Sequence, residues 1–385
     1  MHDMTLKSVR CISDVDLANW SLFAEHNYLL DPVHLLAVEQ SGLGNFQPRY
    51  FQFFRHDLPV GLAVGAVRRL DLAKSCPKML ERLIQGSRFL YSNFLNLNQL
   101  ELGIPCGGGI ACAFSDHVNS DDYMAALSLL KRRNGGNPRA ILFREFSGEL
   151  HPLEDALEKS GFSMLYREPT TILPIRWLSF DEYLQRLRSR YRLFIRRNQR
   201  KMADAGISTR ITSTMDLPPS IYWRLYSNVL EQQEVSAVSP IGPEYFEALE
   251  RLRPPETCWF QYFADDKLIA FATSFRRADE LHPNLVGMDY DECRPLKMYF
   301  NIFYDLIRYA VEHEMRLISF GTTAYAVKSA IGCSVIPQRV YLYHQNTLVQ
   351  SFLVRLHRAL YQFDGSNLRH AFKSETEQQL WQHKS

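Results

Sequence analysis

The sequence predicts an α/β protein made of two tandem copies of one domain. Three observations carry that reading: a length beyond one core, a hairpin repeated at a fixed offset, and the same order of elements after each hairpin. The chain has 385 residues, and a single hydrophobic core usually stops growing below ~300 residues. Hydrophobic residues make up 46% and aromatic residues 12%. That content fills two cores and excludes a disordered chain.

The repeat is the most informative feature. Tyr50 to Arg68 reads YFQFFRHDLPVGLAVGAVR, and Trp259 to Arg277 reads WFQYFADDKLIAFATSFRR. At an offset of 209, six of 19 positions are identical: Phe51/Phe260, Gln52/Gln261, Phe54/Phe263, Asp57/Asp266, Ala63/Ala272 and Arg68/Arg277. Each copy reads as a β-hairpin, an aromatic strand and a small-residue strand joined by a polar turn at the Asp. Two amphipathic hairpins can resemble each other by chance, so the elements after each hairpin decide between duplication and coincidence.

After the first hairpin come Leu100 to Phe114, a helix over Asp121 to Arg133 and strand Ala140 to Phe143. A helix over Leu153 to Lys159 and a strand opened by Gly161-Phe162 complete that half. Asp121 and Asp122 suit a helix N-terminus. In the second half, Leu285 to Tyr290 reads as a strand, and Tyr299, Ile302, Leu306 and Tyr309 recur at helical spacing. Next in order are strand Leu317 to Phe320, a short helix through Lys328, and strand Val340 to Tyr343 after Gly332. The join falls near residues 171–180, giving domains 1–175 and 176–385. Ser179 N-caps a helix expected to run from Asp181 to Ala205, with Glu182 completing a capping box. A C-terminal helix beyond Gln350 places Phe352, Leu356 and Leu360 on one face.

Charge and cysteines exclude several classes. Forty-four basic against 42 acidic residues leave +2, so anion binding must come from local clustering. No apolar stretch approaches the length of a membrane span, and no signal-peptide core succeeds the N-terminus. The seven cysteines (Cys11, Cys76, Cys106, Cys112, Cys258, Cys293, Cys333) form no C-x-x-C pair. Reduced thiols and a cytoplasmic location are expected. The twelve histidines contain no H-x-x-x-H or H-E-x-x-H pair, so no metal site is expected. No G-x-S-x-G elbow occurs. Gly107-Gly108-Gly109 lacks the Lys-Ser/Thr of a phosphate loop and reads as a bulge or tight turn.

The order hairpin, strand, helix, strand, helix, strand resembles the GNAT acyltransferase fold. In tandem it resembles the Fem-type peptidyl transferases and the CelD/BioF-like acetyltransferases. Two segments carry the resemblance. Ser189 to Lys201 (SRYRLFIRRNQRK) is similar to the basic helix opening the second domain of that group. Phe320 to Gly332 (FGTTAYAVKSAIG) is similar to its strand-end Phe-Gly, with a Lys and a Gly beyond it. The resemblance implies an N-acyltransferase in which an amine attacks an activated donor directly. The donor is acyl-CoA or aminoacyl-tRNA, a substrate and not a tightly bound cofactor. The acceptor is a small molecule or a cell-wall precursor. Where acyl-CoA enzymes usually carry a Gly-rich pyrophosphate loop, this chain has Glu292 to Met298 (ECRPLKM), without glycine. Arg294 and Lys297 supply charge there. The alternative is a catalytically silent module that binds a glycan or peptidoglycan precursor.

Arg186, Arg188, Arg190, Arg192, Arg196, Arg197, Arg200 and Lys201 place eight cations in sixteen residues with no acid among them. Two readings stay open: a phosphate-binding surface for CoA, a nucleotide sugar or tRNA, with Arg190, Arg196 and Arg197 as donor contacts, or a solvated face paired with acids elsewhere. A nucleic-acid-binding protein would rest on this helix alone. In the GNAT fold the strand before Asp289 lies beside donor and acceptor. Asp289 is then the candidate base, with the raised pKa that crowding or burial gives a carboxylate. Helix capping by Asp291 or Glu292 is the competing reading of that acidic cluster. Lys328 is the candidate cation that holds an anion or polarises a carbonyl, with Thr322, Thr323 and Tyr325 at the same mouth. As a solvent-facing lysine it would do neither. Asp289 and Lys328 should face one cleft.

Overall fold

A computed structural model describes residues 4–25, 27–43, 47–71, 82, 85–86, 96–105, 107–133, 139–233 and 241–381. Cys76 and Cys106 lie outside the described residues. Strand β1 (Met4–Val9) precedes helices α1 (Leu17–Ala24) and α2 (Pro32–Gln40). The first hairpin is β2 (Gln47–Arg55) with β3 (Leu58–Asp71). Then come β4 (Asn96–Leu102), β5 (Cys112–Phe114), α3 (Ser120–Arg133), β6 (Ala140–Ser147), α4 (Pro152–Lys159) and β7 (Ser163–Pro174). The second half opens with α5 (Phe180–Arg186), α6 (Ser189–Asp204), β8 (Ser208–Thr212), α7 (Pro219–Gln233) and α8 (Pro243–Leu252). Its hairpin is β9 (Thr257–Ala264) with β10 (Lys267–Arg277). After it run β11 (Glu280–Met288), α9 (Tyr290–Leu296), α10 (Met298–Glu312), β12 (Leu317–Gly321), α11 (Tyr325–Ala330), β13 (Ser334–His344) and α12 (Thr347–Leu360).

The two hairpins are equivalent residue by residue. Phe51 pairs with Ala63 and Gln52 with Leu62 in the first; Phe260 pairs with Ala272 and Gln261 with Phe271 in the second. The offset of 209 holds through the irregularity near the turn, where Phe54 faces Pro59 and Phe263 faces Leu268. The next strand joins at the equivalent hairpin position in both copies, since Arg68 pairs with Gln99 and Arg277 with Glu280. Matched register with a matched bulge is beyond what two unrelated amphipathic hairpins would share. The fold is a duplication.

The compact units nevertheless differ from the linear halves 1–175 and 176–385. One comprises Met1–Ala24, Asn45–Arg167 and Gln338–Gln362; the other comprises Glu25–Gly44, Glu168–Pro337 and Phe363–Ser385. In the first, the strand order is β1-β2-β3-β4-β6-β13; in the second it is β7-β12-β11-β10-β9-β8. Each copy takes its last strand from the other half of the chain. Tyr343 of β13 pairs with Ile141 of β6, and Leu173 of β7 pairs with Ile318 of β12. Arg339 and Tyr341 of β13 both donate to the buried Glu154 carboxylate of α4, which fixes the exchanged strand in the first unit.

Two expected helices differ in detail. The helix expected over Asp181 to Ala205 breaks at Leu187, whose extended backbone (ψ 147) bridges to Phe372. Arg188 N–H also donates to the Ala371 carbonyl. Tertiary strand-like pairing overrides helical propensity there. In α12 the buried side chain is Leu353, against Leu165, Val340 and Leu342, whereas Phe352 and Leu360 are exposed. Leu356, on the same expected face, is half-buried.

Two of the titratable groups buried in the second unit have opposite consequences. His34 of α2 is fully buried, its Nδ1 2.7 Å from the Tyr28 carbonyl and its Nε2 3.1 Å from the Tyr245 hydroxyl. Burial draws its pKa down to about 4, so the ring is neutral. The unfolded chain binds more protons between pH 4 and 6.5, and this contribution falls as pH drops through that window, by roughly 3 kcal/mol. Asp305 of α10 has one carboxyl oxygen buried without a hydrogen-bond partner, and burial pushes its pKa up to about 6. Its contribution falls as pH rises from about 4 to 6, by a similar ~3 kcal/mol. The two nearly cancel in the native protein. We expect Asp305→Asn to gain stability with rising pH across this window and His34→Asn to lose it, read by urea denaturation at pH 4.5 and 6.5. Parallel slopes in the two variants would contradict the assignment.

Candidate active site

The site is built where β11 and β12 end. These parallel strands pair only at Glu280–Leu317 and Leu281–Ile318 and then separate. Ligands of open α/β sheets bind at the carboxyl ends of such strands. Non-glycine residues hold left-handed backbone beyond both strands: Lys297 at φ 55 in the turn between α9 and α10, and Thr323 at φ 69 and Ala324 at φ 48 in the turn after β12. Each costs ~1–3 kcal/mol and persists only when the surroundings over-determine it.

Lys328 over-determines the second turn. It is 5% exposed, and its ammonium donates to the carbonyls of Phe320 (2.7 Å), Gly321 (3.3 Å) and Thr322 (2.7 Å). Burial lowers its pKa to about 8. All three protons are engaged, so Lys328 is neither the solvent-facing lysine of one reading nor a side chain aimed at a ligand. It holds the turn that presents Thr322 and Thr323. Thr171 Oγ1 of β7 donates to the Gly321 carbonyl at 2.6 Å. The Tyr325 hydroxyl donates to the Pro169 carbonyl at 2.9 Å, tying α11 to β7.

Asp289 ends β11 and precedes α9. Its carboxylate lies 3.1 Å from Lys267 Nζ, which also meets Glu292 at 2.9 Å. Partial burial raises its pKa, but the Lys267 hydrogen bond and charge outweigh this and hold it below the usual value. The raised pKa expected of a crowded carboxylate is therefore corrected: the neighbour that decides is a cation. No hydrogen bond or ion pair among the described residues joins Asp289 to Lys328. Arg294 donates to Gln232 Oε1 at 3.2 Å and stacks over the Tyr290 ring. Arg294, in the last turn of α9, and Lys297, just before α10, are both exposed.

Helix α6 carries the other cations. Its inner face, with Tyr191, Ile195 and Asn198, is buried. Asn301 of α10 donates to the Asn198 carbonyl at 3.4 Å. Arg190, Arg196, Arg197, Arg200 and Lys201 are exposed, and among the described residues none of them forms an ion pair. Arg188, at the start of the helix, lies 3.5 Å from the Glu375 carboxylate. Phe194 is 42% exposed. Arg196 also lines a surface cleft of about 380 Å³ with Phe180, Gln199, Arg308 and Glu312. None of that cleft's lining residues belongs to the β11 or β12 turn.

The equivalent opening in the first unit is filled. β4 and β6 pair in parallel over four positions, from Gln99–Ala140 to Leu102–Phe143. Register then makes Phe143-Arg144 the counterpart of Phe320-Gly321. Arg144 bridges Glu101 and Glu145, Arg68 and Arg167 add further contacts, and Gly109 N–H donates to Glu145 at 2.6 Å. Burial opposes charge on Glu101, yet Arg144 and Arg68 hold its carboxyl below the usual range. A Cβ built on Gly321 meets nothing within 4 Å. The glycine run expected as a bulge or turn lies in an insertion between β4 and β5, which together face β3 as β11 faces β10.

Sequence reasoning missed Lys267, Thr171 and the Arg144 network. Lys267 sits inside the aligned repeat, and aligning Phe143-Arg144 with Phe320-Gly321 would have exposed the contrast. Thr171 offered no signal, because its partner is set by the strand exchange.

A sequence profile of the FemAB-like family, described as peptidoglycan biosynthesis/recognition, matches residues 154–353. No curated protein matches. Among solved structures, FemX is similar with a TM-score of 0.56 and 13% identity, covering 82% of this chain and 92% of its own. The C-terminal domain of a putative lysylphosphatidylglycerol synthetase from Agrobacterium fabrum has a TM-score of 0.53 at 9% identity (89% and 96% covered). L-PGS from Bacillus licheniformis has 0.50 at 9% (84% and 94%). Identities this low speak to fold alone, and the fold is the tandem GNAT-like arrangement. The profile spans just over half of the chain, across the β11 and β12 turns and the exchanged β13. On that match the chain belongs to the FemAB-like family of peptidoglycan biosynthesis and recognition.

Proposed function

We propose that this protein is an N-acyltransferase acting at the β11 and β12 turns of its second unit. The acceptor is an amine on a cell-wall precursor or a small molecule. Its nitrogen attacks the donor carbonyl, the C–N bond forms, and the thiol or ribose hydroxyl of the donor leaves. The amine gives up one proton, which Asp289 takes on its way to the leaving group. Asp289 is ionised at neutral pH beside Lys267, so it is available as an acceptor without prior deprotonation. Arg294 and Lys297 meet the donor phosphates. Lys328 is a positioning residue, fixing the turn that carries Thr322 and Thr323. The observation that carries this reading is the contrast between Arg144 and Gly321: the first copy fills this position with a guanidinium and its carboxylates, and the second has a glycine there, where a Cβ would meet nothing within 4 Å.

The test is a transfer assay with purified protein, labelled acyl-CoA or aminoacyl-tRNA, and a UDP-linked peptide precursor bearing a free amine. Asp289→Asn is expected to lower turnover ~100- to ~10,000-fold with donor affinity nearly unchanged. Binding of the precursor without transfer from either donor would favour the second reading, a recognition module, which the family description also accommodates. Absence of both binding and transfer would remove both.

A further inference from the structure

The outer face of α6 joins two features that no acyl-transfer role requires. Leu193 is 64% exposed and Phe194 42%, side by side in the middle of the helix. Arg190 precedes them by three and four residues, and Arg197 comes after them by four and three, so all four share one face. Arg196, Arg200 and Lys201 extend that face toward the C-terminus, all exposed and without an ion pair among the described residues. One edge of the Phe194 ring rests on Phe300 at 5.1 Å between centroids, which orients it outward. Single exposed apolar residues are ordinary. Two large ones framed by five cations that form no ion pair among the described residues, Arg190 donating to the Tyr191 hydroxyl at 2.8 Å, make a surface complementary to a layer that is anionic outside and apolar beneath.

We propose that this face of α6 docks the protein onto an anionic lipid bilayer. Leu193 and Phe194 enter the boundary between headgroups and acyl chains, while Arg190, Arg196, Arg197, Arg200 and Lys201 meet the lipid phosphates. Helices that lie in the membrane plane combine these elements, an apolar edge and a basic flank. A nucleic-acid backbone would use the cations but has no partner for Leu193. Among the described residues no helix is long and apolar enough to cross a membrane, so the attachment is peripheral and reversible. The inference is independent of acyl transfer.

Vesicle co-flotation of the full chain tests it. The protein is expected to float with vesicles of phosphatidylcholine containing about a third phosphatidylglycerol, at least ~10-fold more than with phosphatidylcholine alone, and to release as salt rises from 50 to 500 mM. Leu193→Ser with Phe194→Ser should reduce flotation ~10-fold, as should Arg197→Glu with Arg200→Glu. All four positions are exposed, and unchanged thermal unfolding confirms the fold of each variant. Phe352→Ser, on the separate exposed face of α12, should leave flotation unaltered. Three results would overturn the proposal: no flotation of the native protein, flotation that survives the Leu193/Phe194 change, or loss on Phe352→Ser. Tight binding of tRNA that depends on the arginines and ignores Leu193 and Phe194, with no flotation, would assign the face to nucleic acid instead.

Discussion

Lys328→Met is expected to lower turnover by ~100-fold, the scale of a small misplacement of groups around a reacting centre. The side chain is buried with all three protons on the carbonyls of Phe320, Gly321 and Thr322. Removing it takes the ammonium from all three carbonyls, of which Gly321 keeps Thr171 Oγ1 as a donor, at a cost of roughly 2–4 kcal/mol. Loss of activity through general unfolding must therefore be separated from loss through the turn. The pH–rate profile does this. Burial sets the Lys328 pKa at about 8, so the ammonium that holds the turn is lost as pH rises through 8. The native rate should fall above that pH, while Asp289, held below its usual pKa by Lys267, keeps the rate level through the acid-to-neutral range. The residual rate of Lys328→Met, measured where the variant is folded, should lack the basic limb near 8. A limb that persists in the variant would assign it to another group and reduce Lys328 to a structural tie.

The second large effect lies in the first unit and is one of stability. Arg144→Met should destabilise the protein by roughly 3 kcal/mol or more, because Glu101 and Glu145 stay buried after losing their shared cation. Adding Glu101→Gln and Glu145→Gln should recover much of that loss, since a neutral cluster no longer carries uncompensated charge. Chemical denaturation of the single and triple variants gives the comparison. Turnover of folded Arg144→Met should stay within a few-fold of native, because Gly321, not Arg144, borders the working opening. A collapse of activity in a folded Arg144→Met would move the active opening to the first unit and undo the contrast on which the proposed site rests.

Much of the fold was legible because it depends on local pattern. The alternation and turn residues of Tyr50–Arg68 and Trp259–Arg277 set two hairpins, and their shared register, bulge included, keeps the offset of 209. Helical periodicity placed α3, α4 and α10, and Ser179 caps α5 by accepting from Glu182 N–H at 3.1 Å. Binary pattern is a property of neighbours in sequence, and such features survive any tertiary arrangement that keeps the core face inward.

The duplication, the α/β class and the residues near each strand end are thus written in the chain itself. Which of those residues meet is settled only by the folded arrangement. The exchange of β7 and β13 between copies pairs residues some 150 to 200 positions apart, and nothing in a strand's own pattern names its partner. Lys328 looks available in sequence and is consumed by three carbonyls. Asp289 looks crowded by acids and is governed by Lys267 from the hairpin turn. Phe194 and Phe352 fit apolar stripes and lie outside, since a helix pattern with apolar residues on more than one side does not say which side the core takes. Side-chain charge state and exposure depend on long-range neighbours and on desolvation, and these exist only once the chain has closed on itself.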